Sequence, residues 1–145
     1  MAHSSRPILI VDHDVESART LGRLLRRWGY RNVRCEHSAT AALESAVGFS
    51  PDIILLDIEL PDMSGYELAL ALHQHPRLQS MRLIALTNSG DHPARERARA
   101  SGFERYLVKP VTAAALREIL NTPPPWPHSP AHGALAHSPF NKADP

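Results

Sequence analysis

The run Ile53-Ile54-Leu55-Leu56 sets the narrowest limit on how this chain folds. Four consecutive large aliphatic residues, with no polar alternation, form a strand buried on both faces, as in a parallel sheet covered by helices. The run ends in Asp57, and Pro61 and Gly65 then break the chain into a turn. Open α/β sheets carry their ligands and reactive groups beyond the carboxyl ends of the strands, which makes Asp57 a candidate reactive carboxylate. An aspartate in that place also closes loops by bonding local amides, so this strand alone leaves both roles open.

The same punctuation recurs along the chain. Ile8-Leu9-Ile10-Val11 is a second buried strand, ending in Asp12-His13-Asp14. Asp14 is placed to cap the following helix, with Glu16 in its first turn. In that helix Leu21, Leu24, Leu25 and Trp28 make one apolar stripe with the arginines largely outside it, and Gly29 is a stop. Asn32 to Glu36, where Val33 and Cys35 alternate with polar neighbours, reads as an edge strand. Ser38 caps an alanine-rich helix through Val47, and a further helix runs from about Tyr66 to Gln74. Leu83-Ile84-Ala85-Leu86 is a fourth strand ending at Thr87, and Tyr106-Leu107-Val108 a fifth ending in Lys109-Pro110. The helix between them, about Pro93 to Ser101, has only alanines for an apolar face and is expected to pack loosely. Thr112 caps a last helix that buries Leu116, Ile119 and Leu120. Five strands alternating with five helices predict a doubly wound parallel sheet.

Residues 1–6 read as an extension, 7–121 as one domain and 122–145 as a proline-rich disordered tail. His128, His132 and His137 in the tail suggest solvated residues before a metal site, and Trp126 and Phe140 are candidate docking anchors. A formal net charge of +1 gives no bulk attraction to nucleic acid. A single cysteine, Cys35, fits a reducing compartment, and no apolar run reaches the roughly 20 residues needed to span a bilayer. With no signal-peptide core near the start, the expected address is cytoplasmic, with no membrane partner.

Asp12, Asp57, Thr87 and Lys109 end four separate strands and would meet in one crevice. Two carboxylates, a hydroxyl and an ammonium suit a divalent cation and a phosphoryl group, whose transfer needs positioning and charge neutralisation. On these residues the chain resembles the receiver domains of bacterial two-component response regulators. The matching pieces are Ile8 to Asp12, Leu55 to Gly65 with Leu-Pro-Asp-Met-Ser-Gly after Glu59, Leu86-Thr87, and Tyr106 to Pro110. The resemblance covers about residues 7 to 121. It implies a flavodoxin-like fold with strand order 2-1-3-4-5. It further implies Asp57 as phosphoacceptor, Thr87 and Lys109 holding phosphoryl oxygens, and Mg²⁺ bound by Asp12, Asp57 and the backbone carbonyl of Glu59. Tyr106 would follow Thr87 as the switch aromatic, and the Lys109-Pro110 peptide would be cis. The implied partners are a sensor histidine kinase or histidine phosphotransfer protein and a downstream target protein. The signal would leave through the fourth helix, fifth strand and last helix, where Arg95, Arg97, Arg99 and Arg105 suit an acidic partner. With no DNA-binding domain after the sheet, a stand-alone receiver without direct DNA binding or enzymatic turnover is expected.

Two positions depart from the family pattern. His13 stands where a second acid is usual, and Mg²⁺ prefers oxygen, so weak Mg²⁺ binding is expected, with His13, Asp14 or the Glu59 side chain as further ligand candidates. Asn88 replaces a smaller residue, either crowding the site or adding a hydrogen bond. Two other functions compete. A receiver-like module that signals by binding alone would follow from a spoiled metal pocket. Asp12-His13-Asp14 also resembles the nucleophile motif of haloacid-dehalogenase-like phosphatases, with Asp12 as nucleophile and Asp14 as acid/base. That reading lacks the acids it needs after Lys109 and leaves Asp57 unexplained.

Overall fold

A computed structural model describes residues 6–122. The expectations for the tail, including its histidines, Trp126 and Phe140, and for most of the N-terminal extension concern residues outside that range. In chain order the elements are β1 (Ile8–Val11), α1 (Val15–Arg27), β2 (Val33–Glu36), α2 (Ala39–Phe49), β3 (Ile53–Asp57), α3 (Gly65–Gln74), β4 (Arg82–Thr87), α4 (His92–Ala100), β5 (Arg105–Val108) and α5 (Ala113–Asn121). The strands form one parallel sheet in the order β2-β1-β3-β4-β5, as predicted.

Successive residues of a strand face opposite sides of the sheet, so each strand divides its apolar residues between two cores. Ile8, Ile10, Ile53, Leu55, Ile84, Leu86 and Leu107 pack on one side, against Leu21 and Leu25 of α1 and Leu116 and Leu120 of α5. Leu9, Val11, Ile54, Leu56, Leu83 and Ala85 pack on the other, against Ala42 and Ala46 of α2 and Leu68 and Leu72 of α3. Burial on both faces is what an unalternating aliphatic strand requires. Half-buried Val33 and Cys35 sit on β2, the edge.

The helix boundaries differ from the sequence expectation by one or two residues. α2 runs on to Phe49 and stops at Ser50, whose left-handed φ of 51° ends it. A 3-10 turn at Pro76–Leu78, which the sequence reading lacked, buries Leu78 before β4. β4 begins at Arg82, which pairs with Ile53 and is itself buried against Glu104. Ala98 is the buried residue of α4, and the helix is flanked by an arginine stem, Arg97 lying 4.2 Å over the Tyr66 ring.

Asp62, in the loop after β3, caps α2 from across the fold. Its carboxylate accepts from the Ala39 amide at 2.8 Å, the Thr40 amide at 3.0 Å and the Thr40 hydroxyl at 2.9 Å. Those donors hold the carboxyl pKa down from 3.8 to about 2. Because the folded value lies below the unfolded one, the contribution is complete above the ordinary carboxylate range and is lost as pH falls toward the folded value. A carboxyl NMR titration of the folded protein should therefore place Asp62 near 2, and Asp62→Asn should flatten the acid limb of stability. A midpoint at the ordinary 3.8 would mean the cap does not form in solution.

Candidate functional site

Asp12 follows β1, Asp57 ends β3 and Lys109 follows β5. Each keeps the strand parity of Ile10, Leu55 and Leu107, which all pack in the α1/α5 core, so the three side chains leave the sheet on one side. Lys109 Nζ lies 3.3 Å from Asp57 Oδ1 and 3.3 Å from Asp12 Oδ2. Asp12 is 1% exposed and Asp57 0%. The Lys109–Pro110 peptide is cis.

Backbone amides orient both carboxylates. Asp14 N donates to Asp12 Oδ1 at 3.0 Å, and Glu59 N to Asp57 Oδ1 at 3.0 Å. Asp12 Oδ2, although buried, has no hydrogen bond. Burial first, and the nearby Asp57 charge as well, raise the Asp12 pKa, while the Asp14 amide and Lys109 oppose the shift. His37 Nδ1 meets the Asp12 carbonyl at 2.9 Å, an interaction that requires the proton on Nδ1.

His13 joins the acids. Its Nδ1 donates to Asp57 Oδ2 at 2.7 Å and lies 3.7 Å from Asp12 Oδ1. That hydrogen bond to Asp57 is the main cause of a raised imidazole pKa. One ligand atom each from Asp12, His13 and Asp57 fall within 4.8 Å of one another. An open groove of about 570 Å³ runs alongside, lined in part by His13, Ser17, Leu86, Asn88 and Lys109.

The side chains of the other predicted residues make their hydrogen bonds elsewhere. Asp14 caps α1, accepting from Glu16 N at 3.1 Å and the Ser17 hydroxyl at 2.8 Å, which lowers its pKa. The Glu59 side chain accepts from Asn88 Nδ2 at 2.7 Å, so Asn88 supplies a bond between the β3 and β4 loops. Thr87 Oγ1 donates to the Ser89 carbonyl at 3.0 Å and accepts from its amide at 3.1 Å. Thr87 has the parity of Leu83 and Ala85, on the α3 side, where Tyr106 also packs. Thr87 and Tyr106 line one crevice with Ala85, Ala94 and Arg95, too narrow to admit water. Sequence reasoning missed His37 and the capping role of Asp62. Asp62 did fall within a quoted motif, but nothing there pointed to α2.

A buried acid pair with a lysine at the carboxyl edge of a 2-1-3-4-5 sheet defines a receiver-type domain. A family profile described as the response regulator receiver domain matches residues 8–121, and the chain belongs to that family. It is 30% identical over 118 residues to the polar-differentiation response regulator DivK of Brucella ovis, covering 81% of this chain and 95% of that protein. A CheY-like response regulator receiver domain protein from Methanospirillum hungatei superposes with a TM-score of 0.74 at 29% identity, covering 81% of this chain and 91% of the other. The chemotaxis response regulator CheY4 of Vibrio cholerae shares the fold, with a TM-score of 0.76 at 24% identity over 80% of this chain and 96% of that one. Among the described residues no helix is long and apolar enough to cross a membrane.

Proposed function

We propose that this receiver domain takes a phosphoryl group onto Asp57 from a phosphohistidine of a sensor histidine kinase or phosphotransfer protein, and signals by changing its protein contacts. The observation that carries this reading is Lys109 Nζ, 3.3 Å from Asp57 Oδ1 and 3.3 Å from Asp12 Oδ2. A carboxylate oxygen of Asp57 attacks phosphorus. The new P–O bond gives an acyl phosphate as the P–N bond breaks, and the imidazole leaves with the electron pair and is protonated from solvent. Little covalent help is needed; the ammonium must sit where phosphoryl charge accumulates, and its position between Asp12 and Asp57 supports that role.

The carboxylates of Asp12 and Asp57 fit a divalent cation, since the buried Asp12 Oδ2 has no hydrogen bond to give up. Asp12, Asp57 and the Glu59 carbonyl would hold Mg²⁺, which would supply charge neutralisation. Thr87 exchanges its Ser89 bonds for a phosphoryl oxygen, and Tyr106, in the same crevice, follows it. The response then reaches the α4–β5–α5 face and its arginines, which suit an acidic target protein. The chain's own chemistry is limited to gaining and losing that phosphoryl group.

Acetyl phosphate or beryllofluoride, with and without Mg²⁺, should modify or perturb the wild type and leave Asp57→Asn unchanged. Labelling of Asp12, or of Asp57→Asn as readily as wild type, would reject the assignment. One observation favours a second reading: His13 Nδ1 occupies Asp57 Oδ2 at 2.7 Å. If the domain signals by binding alone, Asp57→Asn keeps its biological output.

A further inference from the structure

The acid pocket carries a nitrogen donor among its oxygens, and this changes which cation it should prefer. We propose that Asp12, His13 and Asp57 form a mixed nitrogen–oxygen site that selects a first-row divalent transition cation, of the Mn²⁺–Co²⁺–Zn²⁺ class, over Mg²⁺. The inference deepens the proposed function, because the cation would sit at the proposed phosphoacceptor. It is tested by binding alone, so either idea can fail without the other.

The spacing is close to that of a ligand set. At bonds of about 2.1 Å, adjacent ligands lie roughly 3.0 Å apart at right angles and roughly 3.4 Å apart at tetrahedral angles. His13 Nδ1 stands 2.7 Å from Asp57 Oδ2 and 3.7 Å from Asp12 Oδ1. Replacing the Nδ1 proton by a cation thus asks for side-chain shifts of under about 1 Å. Amides already pin the acids, Asp14 N on Asp12 Oδ1 and Glu59 N on Asp57 Oδ1, which leaves each Oδ2 to be satisfied otherwise.

A second observation concerns the other Asp12 oxygen, Oδ1 being the one 3.7 Å from His13 Nδ1. Asp12 Oδ2 is buried, with the residue 1% exposed, and has no hydrogen-bond partner. Its nearest cation is Lys109 Nζ at 3.3 Å, so a metal ion would share that carboxylate with the ammonium. The ammonium offsets that oxygen's charge without hydrogen-bonding it, and a metal bond would add a directed partner. His13 is about half exposed and opens onto the groove, which provides an entry path.

Donor type then sets the preference. Mg²⁺ takes oxygen ligands and gives up its waters reluctantly, whereas imidazole suits the later first-row cations. An all-oxygen pocket also binds Co²⁺ above Mg²⁺ to some degree, so the diagnostic quantity is the ratio of affinities and its dependence on residue 13.

Co²⁺, Mn²⁺ and Mg²⁺ are titrated separately into the full chain, without phosphodonor, as wild type, His13→Asp, His13→Ala and Asp57→Asn. The Co²⁺-to-Mg²⁺ affinity ratio of wild type should exceed that of His13→Asp by about tenfold or more. His13→Ala should lose Co²⁺ affinity without gaining Mg²⁺ affinity. Mn²⁺ should broaden the amide signals around Asp12 and Asp57 first. Sites retained in Asp57→Asn belong to other histidines, those of residues 123–145 included, and serve as the blank. Equal ratios in wild type and His13→Asp, wild-type Co²⁺ binding no greater than that of the Asp57→Asn blank, or broadening centred elsewhere would overturn the proposal.

Discussion

Glu104→Ala should destabilise the domain by about 3–5 kcal/mol, the range for removing one partner of a buried ion pair. Arg82 is 3% exposed and Glu104 7%, so neither charge is solvated. Arg82 Nε reaches both carboxylate oxygens, at 3.1 and 3.0 Å, and Nη2 bonds the same carboxylate. Nη2 also donates to the Ile119 carbonyl at 3.2 Å, so the guanidinium joins the start of β4, the residue before β5 and the end of α5. Without Glu104 the arginine would keep one carbonyl and an uncompensated buried charge. The pair's net contribution is far smaller than that loss, because both ions were desolvated on folding. Arg82→Met combined with Glu104→Leu should therefore recover most of the stability. Urea unfolding of Arg82→Met, Glu104→Leu and the double variant measures the coupling. A loss under about 1 kcal/mol for Glu104→Ala would show that the pair behaves as a surface salt bridge.

The contrast between this pair and the acid site explains what was legible in the chain. Asp12, Asp57 and Lys109 each stand one position past, or at the end of, an aliphatic run. The run fixes a strand, the strand fixes parity, and parity puts all three on the α1/α5 side. Thr87 also ends a run, but its parity matches Leu83 and Ala85, and its hydroxyl serves its own turn. Convergence of strand ends was readable; the direction of each side chain needed one further step of counting. Arg82 and Glu104 had no such marker. They lie 22 residues apart, and α5 meets the pair through the Ile119 carbonyl. A hydrogen bond from the Asn88 amide was one of two options read from the sequence, but its partner Glu59, 29 residues away, had no marker there. Local periodicity states which residues face a core. It is silent on which polar groups from distant loops meet there.

Gly65→Ala should damage both fold and site, because the constraint on this glycine is the approach of one backbone to another. A Cβ there would stand 2.6 Å from the Asp57 carbonyl oxygen, 2.6 Å from Ile58 Cα and 3.0 Å from the Ile58 carbonyl oxygen. All three are backbone atoms, so no rotamer relieves the contact. The helix has little freedom to retreat. Gly65 N bonds the Ile58 carbonyl at 2.7 Å, and the Ser64–Glu67 capping box fixes the first turn of α3. The strain then falls on the chain leaving β3, where Asp57 is held. A cost of about 1–3 kcal/mol is expected from such overpacking. A displacement of Asp57 by about 1 Å relative to Lys109 would slow acetyl-phosphate labelling on the order of a hundredfold. Gly48→Ala is the matching control. It lies inside α2, exposed, with nothing within 4 Å of an added Cβ. It should stabilise by about 0.5–1 kcal/mol through helix propensity and leave labelling unchanged. If Gly65→Ala unfolds and labels like wild type, the seating of α3 on the end of β3 is looser than its geometry implies. Labelling lost with stability intact would instead locate the damage at Asp57 alone.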